Sequence, residues 1–384
     1  MTKKKIVIIG PAYPYRGGNS LFVSSLYDVL KEQFEVKVIN YKLLYPSFLF
    51  PGTTQYDRSE TNIKKAPNER LINSINPFNW FSVAKRIKEE KADLVVFDWW
   101  QPFFGPCHRV ISSLIKDTYK NKILFITENY ISHEGSFIDH TLTKIGLKNA
   151  SSFLTLSAKV AEELKTTAGD KKIYRSELPV YDCYQTGGTI TGEEAKVSFG
   201  FPRDSKVILF FGYVRKYKGL DLLLDAMPEI VKQDPSIKLL VAGEFYDEFE
   251  FYRGIIEKLD LSSSVYMINK FISNEEVYKY YEPADLVILP YRNGTQSGIL
   301  NVAYGFLKPV LVTNVGGLAE FVDEGKSGFV ITPDSPEAIA EGVIKYFEAK
   351  KSFNFAEYIS QKVSRNGFND MPLLFNEIIE DAVK

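Results

Sequence analysis

Cysteine and histidine are scarce in this sequence of 384 residues, which has two Cys and three His. Cys107 and Cys183 cannot build a disulfide framework, and they form no C-x-x-C pair. None of the spacings that hold zinc, such as H-E-x-x-H, is present. We therefore expect no metal cofactor and a chain that works reduced, in the cytoplasm.

Long hydrophobic runs and an excess of charge are also absent. The apolar stretch IVIIG ends at Pro11, whereas a secretory signal needs about 7–15 apolar residues. No run approaches the roughly 20 apolar residues that span a bilayer. Lys and Arg number 47 and Asp and Glu 48, so the net charge is −1, which disfavours binding of nucleic acid through the overall field.

Short β-branched runs alternate with helical segments in both halves of the chain. The runs are KIVIIG (5–10), EVKVIN (35–40), LVVFD (94–98), KILFIT (122–127), SFLTLS (152–157), KVILFFGYV (206–214), KLLVAG (238–243), LVILP (286–290), PVLVT (309–313) and GFVI (328–331). Strands that alternate with helices predict parallel sheets covered on both faces. We expect an α/β protein with two doubly wound domains and a ligand cleft at the carboxyl ends of their strands.

The composition changes around residues 183–200, which divides the chain. The segment QTGGTITGEE (185–194) is rich in Gly and Thr and lacks core residues, so we interpret it as a link. The predicted domains are 1–185 and 186–360, followed by a C-terminal helix over 361–384. Residues 41–76 are the least regular part and are predicted to form a long loop or lid.

The first strand-to-helix loop, GPAYPYRGGNS, stands where a dinucleotide-binding fingerprint would stand, but it is not G-x-G-x-x-G. The second strand ends in Asn40 instead of an acidic ribose partner, which disfavours NAD. Gly17 and Gly18 suit the close approach of a ligand to a helix N-terminus, and they suit an unliganded tight turn equally well. Ser20 is the predicted N-cap of the helix that follows.

Two loops of the second half carry features suited to anions. Arg215 and Lys218 lie on a strand-to-helix loop, where they could hold a diphosphate or simply be solvated. The segment 295–299 leads into a helix that begins near Gly298, with Ser297 as its predicted cap. The free amides of its first turn favour an anion, although every capped helix offers such amides.

These blocks resemble a known family. FFGYVRKYKGLDLLLDA, LLVAGE and ADLVILPYRNGTQSGILNVAYGFLKPVLVTNVGGLAEFVDEGKSGFVI are similar, in order and spacing, to the donor half of retaining family 4 glycosyltransferases of the GT-B fold. IGPAYPYRGGNS and ITENYISHEG are similar in layout to the N-terminal half. The resemblance implies two Rossmann-like domains facing across a cleft, with the acceptor bound by residues 1–185 and the donor by 186–360. It also implies that the C-terminal helix crosses back to the first domain.

The resemblance also implies substrates and residue roles. The donor would be a UDP- or GDP-sugar, the acceptor a glycan or a lipid-linked hydroxyl, and no metal would take part. Arg215 and Lys218 would act on the diphosphate, and Glu128 and His133 are the candidate catalytic groups of the first half. The implied donor-binding residues are Gly17, Gly18, Asn19, Gly212, Gly219, Glu244, Thr295, Gln296, Ser297, Gly298, Ile299 and Glu320.

The sequence departs from the family at two places. The usual pair of glutamates seven residues apart is missing, and Thr295 and Gln296 replace the first of them with neutral hydrogen-bonding groups. The usual histidine after the strand ILFIT is Glu128, which could face the anomeric carbon or bind sugar hydroxyls. His133 could instead be a polar loop residue. A non-catalytic sugar-nucleotide-binding subunit and a nucleotide-sugar epimerase are the alternative functions.

Two aromatic stretches allow two interpretations each. PFNWFSVAKRIKEEK (77–91) could lie on an anionic membrane surface as a peripheral contact, but three aromatics in a short helix favour packing into the core. FDWWQPFFGP (97–106) follows a strand and could stack on acceptor sugar rings, or pack into the same core.

Overall fold

A computed structural model describes residues 3–50, 52–61, 63–131, 137–185 and 190–384 of the chain. Its internal contacts divide the chain into two compact units. Unit 1 comprises Met1–Asp57, Lys64–Pro179 and Asn366–Lys384, and unit 2 comprises Arg58–Ile63 and Val180–Arg365. Within the described ranges, no helix is both long and apolar enough to cross a membrane.

The sheet of unit 1 has seven parallel strands in the order β3-β2-β1-β4-β5-β6-β7. They are β1 Lys5–Ile9, β2 Glu35–Leu43, β3 Asn68–Asn73, β4 Leu94–Trp99, β5 Ile123–Thr127, β6 Ser152–Thr155 and β7 Ile173–Arg175. The central strands β4 and β5 are buried along their whole length, as strands between two helix layers must be. The chain moves outwards from β1 on one side and then on the other, which confirms the predicted doubly wound arrangement.

Helices cover both faces of this sheet. They are α1 Gly18–Leu30, α2 Pro77–Glu89, α3 Gly105–Ile115, α4 Phe137–Leu147 and α5 Ala158–Ala168. The apolar sides of α2 and α3 share one core cluster with β4 and β5, and α1 packs into a second cluster on the opposite face. The carboxyl ends of β1, β4 and β5 therefore bring their loops together at one edge of the sheet.

Two secondary-structure predictions for unit 1 are wrong. Helix α1 is capped by Gly17 rather than Ser20, because Gly17 takes a φ of 108° that starts the helix at Gly18, and Ser20 is buried in the first turn. Within the predicted loop 41–76, residues Asn68–Asn73 form the edge strand β3. Its sequence NERLIN is mostly polar, as edge strands often are, so it lacks an apolar signature.

The two aromatic stretches pack differently from one another. In α2, Trp80 is buried as predicted, but Phe78 is 88% exposed and Phe81 is also exposed, so core packing is wrong for these two rings. In the stretch 97–106, Trp99 and Trp100 are buried in the core of unit 1. The second stretch therefore packs into the core, and neither indole is exposed for stacking on a sugar.

The sheet of unit 2 has six parallel strands in the order β10-β9-β8-β11-β12-β13. They are β8 Lys206–Phe211, β9 Ile237–Gly243, β10 Val265–Asn269, β11 Leu286–Leu289, β12 Val310–Thr313 and β13 Gly328–Ile331. Every strand predicted for this half is present. The edge strand β10 was not predicted, because its residues are only partly buried and its sequence VYMIN is short.

The remaining helices follow in chain order. They are α6 Gly192–Ser198, α7 Leu220–Gln233, α8 Phe249–Lys258, α9 Val277–Tyr281, α10 Gly298–Gly305, α11 Pro336–Ala349, α12 Phe355–Val363 and α13 Met371–Asp381. Helix α6 takes up the end of the predicted link, because Thr191 and Glu194 form a capping box there, while residues 186–189 lie outside the described residues. Helix α13 packs on α1 in unit 1.

Candidate active site

The start of α1, after β1, places Asn19 beside a buried carboxylate. Gly17 and Gly18 begin α1, and Asn19 lies in its first turn. The side-chain amide of Asn19 donates a hydrogen bond of 2.8 Å to Oε2 of Glu128, which directly follows β5. The structure thus brings together Asn19 and Glu128, which are 109 residues apart in the sequence.

Glu128 forms a carboxyl pair with Asp98, the penultimate residue of β4. Both side chains are buried, and their carboxyl groups lie within hydrogen-bonding reach. Burial raises the pKa of Glu128 to about 7, although its hydrogen bonds to Asn19 and Asp98 act in the opposite direction. Burial and the neighbouring Glu128 raise the pKa of Asp98 well above its usual value. Both shifts favour the protonated forms, so the pair binds protons more readily than two separate carboxyl groups would.

Asp98 is a site residue that was not predicted from the sequence. It lies inside the apolar run LVVFDW, where an acidic residue at the end of a buried strand is the one available signal. Close packing fixes its place, because a Cβ atom on Gly10 would come within 3.0 Å of the Asp98 Cβ. The other candidate of this half, His133, lies outside the described residues.

Unit 2 contains a buried lysine, Lys218, in the loop between β8 and α7. It ends a short 3-10 helix, Lys216–Lys218, and only 3% of its surface is exposed. Its ammonium nitrogen lies 3.7 Å from the ring centre of Tyr213 and 5.6 Å from that of Tyr291. Among the residues that the structure describes, Lys218 makes no ion pair. Burial, assisted by repulsion from Arg215, lowers its pKa to about 7.

Arg215 lies next to Lys218 in the same loop. It is half-buried, and its guanidinium carbon lies 5.4 Å from the ring centre of Tyr246. Both cations belong to the segment between β8 and α7, and the charge of Arg215 helps to lower the pKa of Lys218. A guanidinium and an ammonium are the side-chain groups that suit the phosphates of a diphosphate.

Gly219 holds this loop against the loop that follows β11. It has a φ of 71°, and a Cβ atom there would lie 2.1 Å from the Pro290 carbonyl oxygen. Arg292, which sequence analysis also missed, joins the same two loops. It donates to the Lys216 carbonyl oxygen at 2.9 Å and forms an ion pair of 2.7 Å with Asp221. Its position three residues before the T-Q-S-G block gave no indication of this role.

The first turn of α10 lies beside the ammonium of Lys218. A Cβ atom built on Gly212 would be 3.5 Å from Nζ of Lys218 and 3.2 Å from Cδ1 of Ile299, so these two side chains converge on Gly212. Helix α10 begins at Gly298, as predicted, and Ser297 is its N-cap residue. The predicted capping bond is absent in this described segment, because the Ser297 hydroxyl pairs with the Tyr291 hydroxyl at 3.2 Å instead.

The other predicted donor-binding residues follow neighbouring strands of the same sheet. The backbone N–H of Val214 donates to the carbonyl oxygen of Glu244, which places the loops after β8 and β9 together. Thr295 is buried and Gln296 partly buried in the loop after β11. Glu320 is exposed on the 3-10 helix Leu318–Phe321 after β12. In the same loop, the N–H of Gly317 donates to the Gly294 carbonyl oxygen.

Known proteins support this picture. Residues 192–363 match the family described as Glycosyl transferases group 1. An uncharacterised glycosyltransferase of Methanocaldococcus jannaschii is 29% identical over 177 residues, which are 45% of this chain and 44% of that protein. A D-inositol 3-phosphate glycosyltransferase of Corynebacterium urealyticum is 28% identical over 180 residues, 45% of this chain and 42% of that protein. The match thus spans less than half the length of these curated relatives.

The likeness to solved structures covers both units. Anabaena HepE, in complex with UDP and glucose, has a TM-score of 0.74 at 16% identity, with 98% of this chain and 100% of that chain covered. At this identity the likeness shows the fold, and it confirms the fold class predicted from the sequence. The chain therefore has the GT-B fold, and its residues 192–363 are similar to the glycosyl transferases group 1 family.

Proposed function

We propose that this chain is a retaining glycosyltransferase that moves a sugar from a UDP- or GDP-sugar to a hydroxyl group of a glycan or lipid-linked acceptor. In this proposal unit 2 binds the donor, unit 1 binds the acceptor, and the reaction takes place in the cytoplasm. The observation that carries it is the buried ammonium of Lys218. A buried cation that has no carboxylate partner among the described residues is stabilised by a bound anion.

The departure of the diphosphate would be assisted by charges fixed in unit 2. Negative charge grows on the leaving phosphate as its bond to the sugar breaks, and donors held in place stabilise it without reorganisation. Arg215, Lys218 and the amides of the first turn of α10 would provide these donors, with no metal ion. Thr295 and Gln296 would contact the donor through neutral groups, where the resembling family has a carboxylate.

Unit 1 would contribute the carboxylate of Glu128. We propose that Glu128 contacts the transferred sugar, where its negative charge stabilises the positive charge that develops at the anomeric carbon. Asn19 and Asp98 are positioning residues in this proposal. The hydrogen bond from Asn19 and the neighbouring Asp98 would hold Glu128 in one orientation, and a proton on Asp98 would keep the pair from carrying two negative charges.

The experiment that tests the proposal is a transfer assay with UDP-glucose, UDP-galactose and GDP-mannose, each with and without simple glycan acceptors. NMR of the product would show the α configuration of these α-linked donors if the enzyme retains it. Turnover should persist in EDTA, because the charge-stabilising groups belong to the chain. Conversion of a donor to its epimer without acceptor would indicate an epimerase. Binding of a donor with no transfer to any acceptor would indicate a binding subunit.

A further inference from the structure

Large apolar side chains are exposed on one helix layer of unit 1. Phe78 and Phe81 project from α2, and Phe137, Ile138 and Ile145 project from α4. Phe78 and Phe137 are 88% and 85% exposed. Helices α2 and α4 both pack against α3, so these side chains point away from the same face of the sheet. Soluble proteins rarely group exposed large apolar residues in this way unless the surface binds something.

Lysines share the exposed stripes with these apolar residues. In α2, Phe78, Phe81, Lys85 and Lys88 recur at intervals of three or four residues, which places them on one side of the helix. In α4, Lys144 and Ile145 follow Phe137 and Ile138 by seven residues, so they too lie on the outer side. We define the α2–α4 face by its exposed residues Phe78, Phe81, Lys85, Lys88, Phe137, Ile138, Lys144, Ile145 and Lys148.

The charge of the α2–α4 face is positive. Within the described part of the chain, the ammonium groups of Lys85, Lys88, Lys144 and Lys148 have no ion pair. The described acidic groups near this face are few. Glu89 is exposed on the same side of α2, Asp139 is partly exposed in the first turn of α4, and the sequence of α3, GPCHRVISSLI, contains no acidic residue.

The opposite layer of unit 1 is different. Helices α1 and α13 cover that face, and α13 exposes Glu377 and Glu380 together with Leu373. Two of its acidic residues, Glu377 and Asp381, form ion pairs with Lys172. Among the described residues, exposed aromatic rings beside lysines without ion pairs therefore distinguish the α2–α4 layer from the layer formed by α1 and α13.

We propose that the α2–α4 face binds an anionic lipid surface. Phenylalanine and isoleucine side chains enter the boundary between headgroups and acyl chains, while lysines beside them reach the lipid phosphates. A protein partner fits less well, because lysine is depleted in the centres of protein interfaces. This inference rests on the geometry of unit 1 alone, so it stands or falls independently of the transferase activity.

The test is co-sedimentation of the full chain with two kinds of vesicle. One contains phosphatidylcholine alone, and the other contains in addition ~30 mol% phosphatidylglycerol, which makes its surface negative. We expect binding to the anionic vesicles only, reduced strongly in about 0.5 M NaCl because lysine–phosphate attraction is screened. Phe78→Ser combined with Phe137→Ser should weaken binding at least about tenfold, and Lys85→Gln combined with Lys144→Gln should do so too.

Leu373→Ser is the matched control, since it removes an exposed apolar side chain of the opposite layer. It should bind vesicles like the unaltered chain, and circular dichroism should show that all variants are folded. Failure of the unaltered chain to bind anionic vesicles would overturn the proposal. Equal binding of vesicles by all the variants would also overturn it. A change of oligomeric state in the Phe variant without any change in vesicle binding would overturn it too, and would assign the face to a protein partner.

Discussion

The ammonium nitrogen of Lys218 lies 3.7 Å from the centre of the Tyr213 ring, and this ring is its nearest source of negative potential among the described aromatic groups. The π face offsets part of the free-energy cost of taking the ammonium out of water. It does not offset all of it, because the pKa of Lys218 falls to about 7. The unliganded chain therefore contains a lysine that is partly neutral near pH 7, and an arriving anion would restore its full charge.

Binding of the donor should consequently take up a proton. At pH 8 most Lys218 side chains are neutral in the free chain, and a bound diphosphate raises their pKa by attraction. Calorimetric titration with the UDP- or GDP-sugar that binds, in Tris and in HEPES at pH 8, should give heats that differ by the ionisation enthalpies of the buffers. The uptake should approach one proton at pH 8 and vanish near pH 6. Equal heats in both buffers at pH 8 would contradict this assignment.

Replacement of Lys218 by methionine should make the chain more stable and, at the same time, weaken its binding of the donor. Lys218→Met removes a buried cation and keeps its volume, so it should raise the free energy of unfolding by about 1 kcal/mol or more at pH 6.5. The folded pKa is lower than the unfolded one, so the lysine's cost is largest below pH 7 and declines as the pH rises towards 10. The gain should therefore be smaller at pH 9.5, as measured by urea unfolding.

The same variant should lose affinity for the donor at least about tenfold, because a charge-assisted phosphate contact disappears. Lys216→Met is the matched control, since Lys216 lies in the same loop and is exposed. It should change stability by less than about 0.5 kcal/mol. A Lys218→Met variant that is less stable than the unaltered chain at pH 6.5 would show that the ammonium is compensated in the folded state.

The sequence predicts the fold better than the site, for physical reasons. Central strands such as β4 and β8 are buried on both faces, so their apolar runs are visible in the sequence. The edge strands β3, β7 and β10 were missed because β3 is mostly polar, β7 has only three residues and β10 is only partly buried.

Within the site, loop positions were predictable and partners were not. The Gly212–Gly219 loop and the start of α10 follow from strand-to-helix patterns. Asp98 was missed because nothing in a single sequence tells a buried acid at a strand end from an exposed one. The proximity of Arg292 to Asp221 depends on how the loop after β11 folds against the first turn of α7, which no local pattern encodes.

The carboxyl pair should make stability fall as the pH rises. The pKa of Glu128 is about 7 in the folded chain and about 4.5 as a reference for the unfolded chain. Between these values the folded chain binds more protons, so its stability is full below pH 4.5 and is lost as the pH rises through 7. The test compares the free energy of unfolding of the unaltered chain with that of the double variant Asp98→Asn, Glu128→Gln. Relative to the double variant, the unaltered chain should become less stable from pH 5 to pH 8.

Glu90 provides the control for this measurement. Its ion pairs with Lys5 and Lys37 lower its pKa to about 2, although burial acts in the opposite direction. Its contribution is present above pH 4.5 and is lost only as the pH falls towards 2. The difference between the unaltered chain and Glu90→Gln should therefore stay constant from pH 5 to pH 8. If the difference in free energy of unfolding between the unaltered chain and the Asp98→Asn, Glu128→Gln variant were also constant over this range, the pair would hold no extra proton.

Two Gly→Ala substitutions should act in opposite directions. Gly219→Ala places a methyl group 2.1 Å from the Pro290 carbonyl oxygen at a φ of 71°, so it should destabilise unit 2 and shift the Lys218 loop. Gly254→Ala, inside α8 with open space around it, should stabilise the chain by about 0.5–1 kcal/mol. Thermal unfolding checks both. A neutral Gly219→Ala would show that the two loops are not held together at this contact.

The most direct test of the account is the affinity for UDP and GDP of three alanine variants of one loop, measured by calorimetric titration. Arg215→Ala and Lys218→Ala should each weaken binding of the preferred nucleotide at least about tenfold, because each removes a charged phosphate contact. Lys216→Ala should bind within about threefold of the unaltered chain, since its side chain is exposed. Unchanged affinity in both Arg215→Ala and Lys218→Ala would contradict the claim that these two cations hold the donor diphosphate.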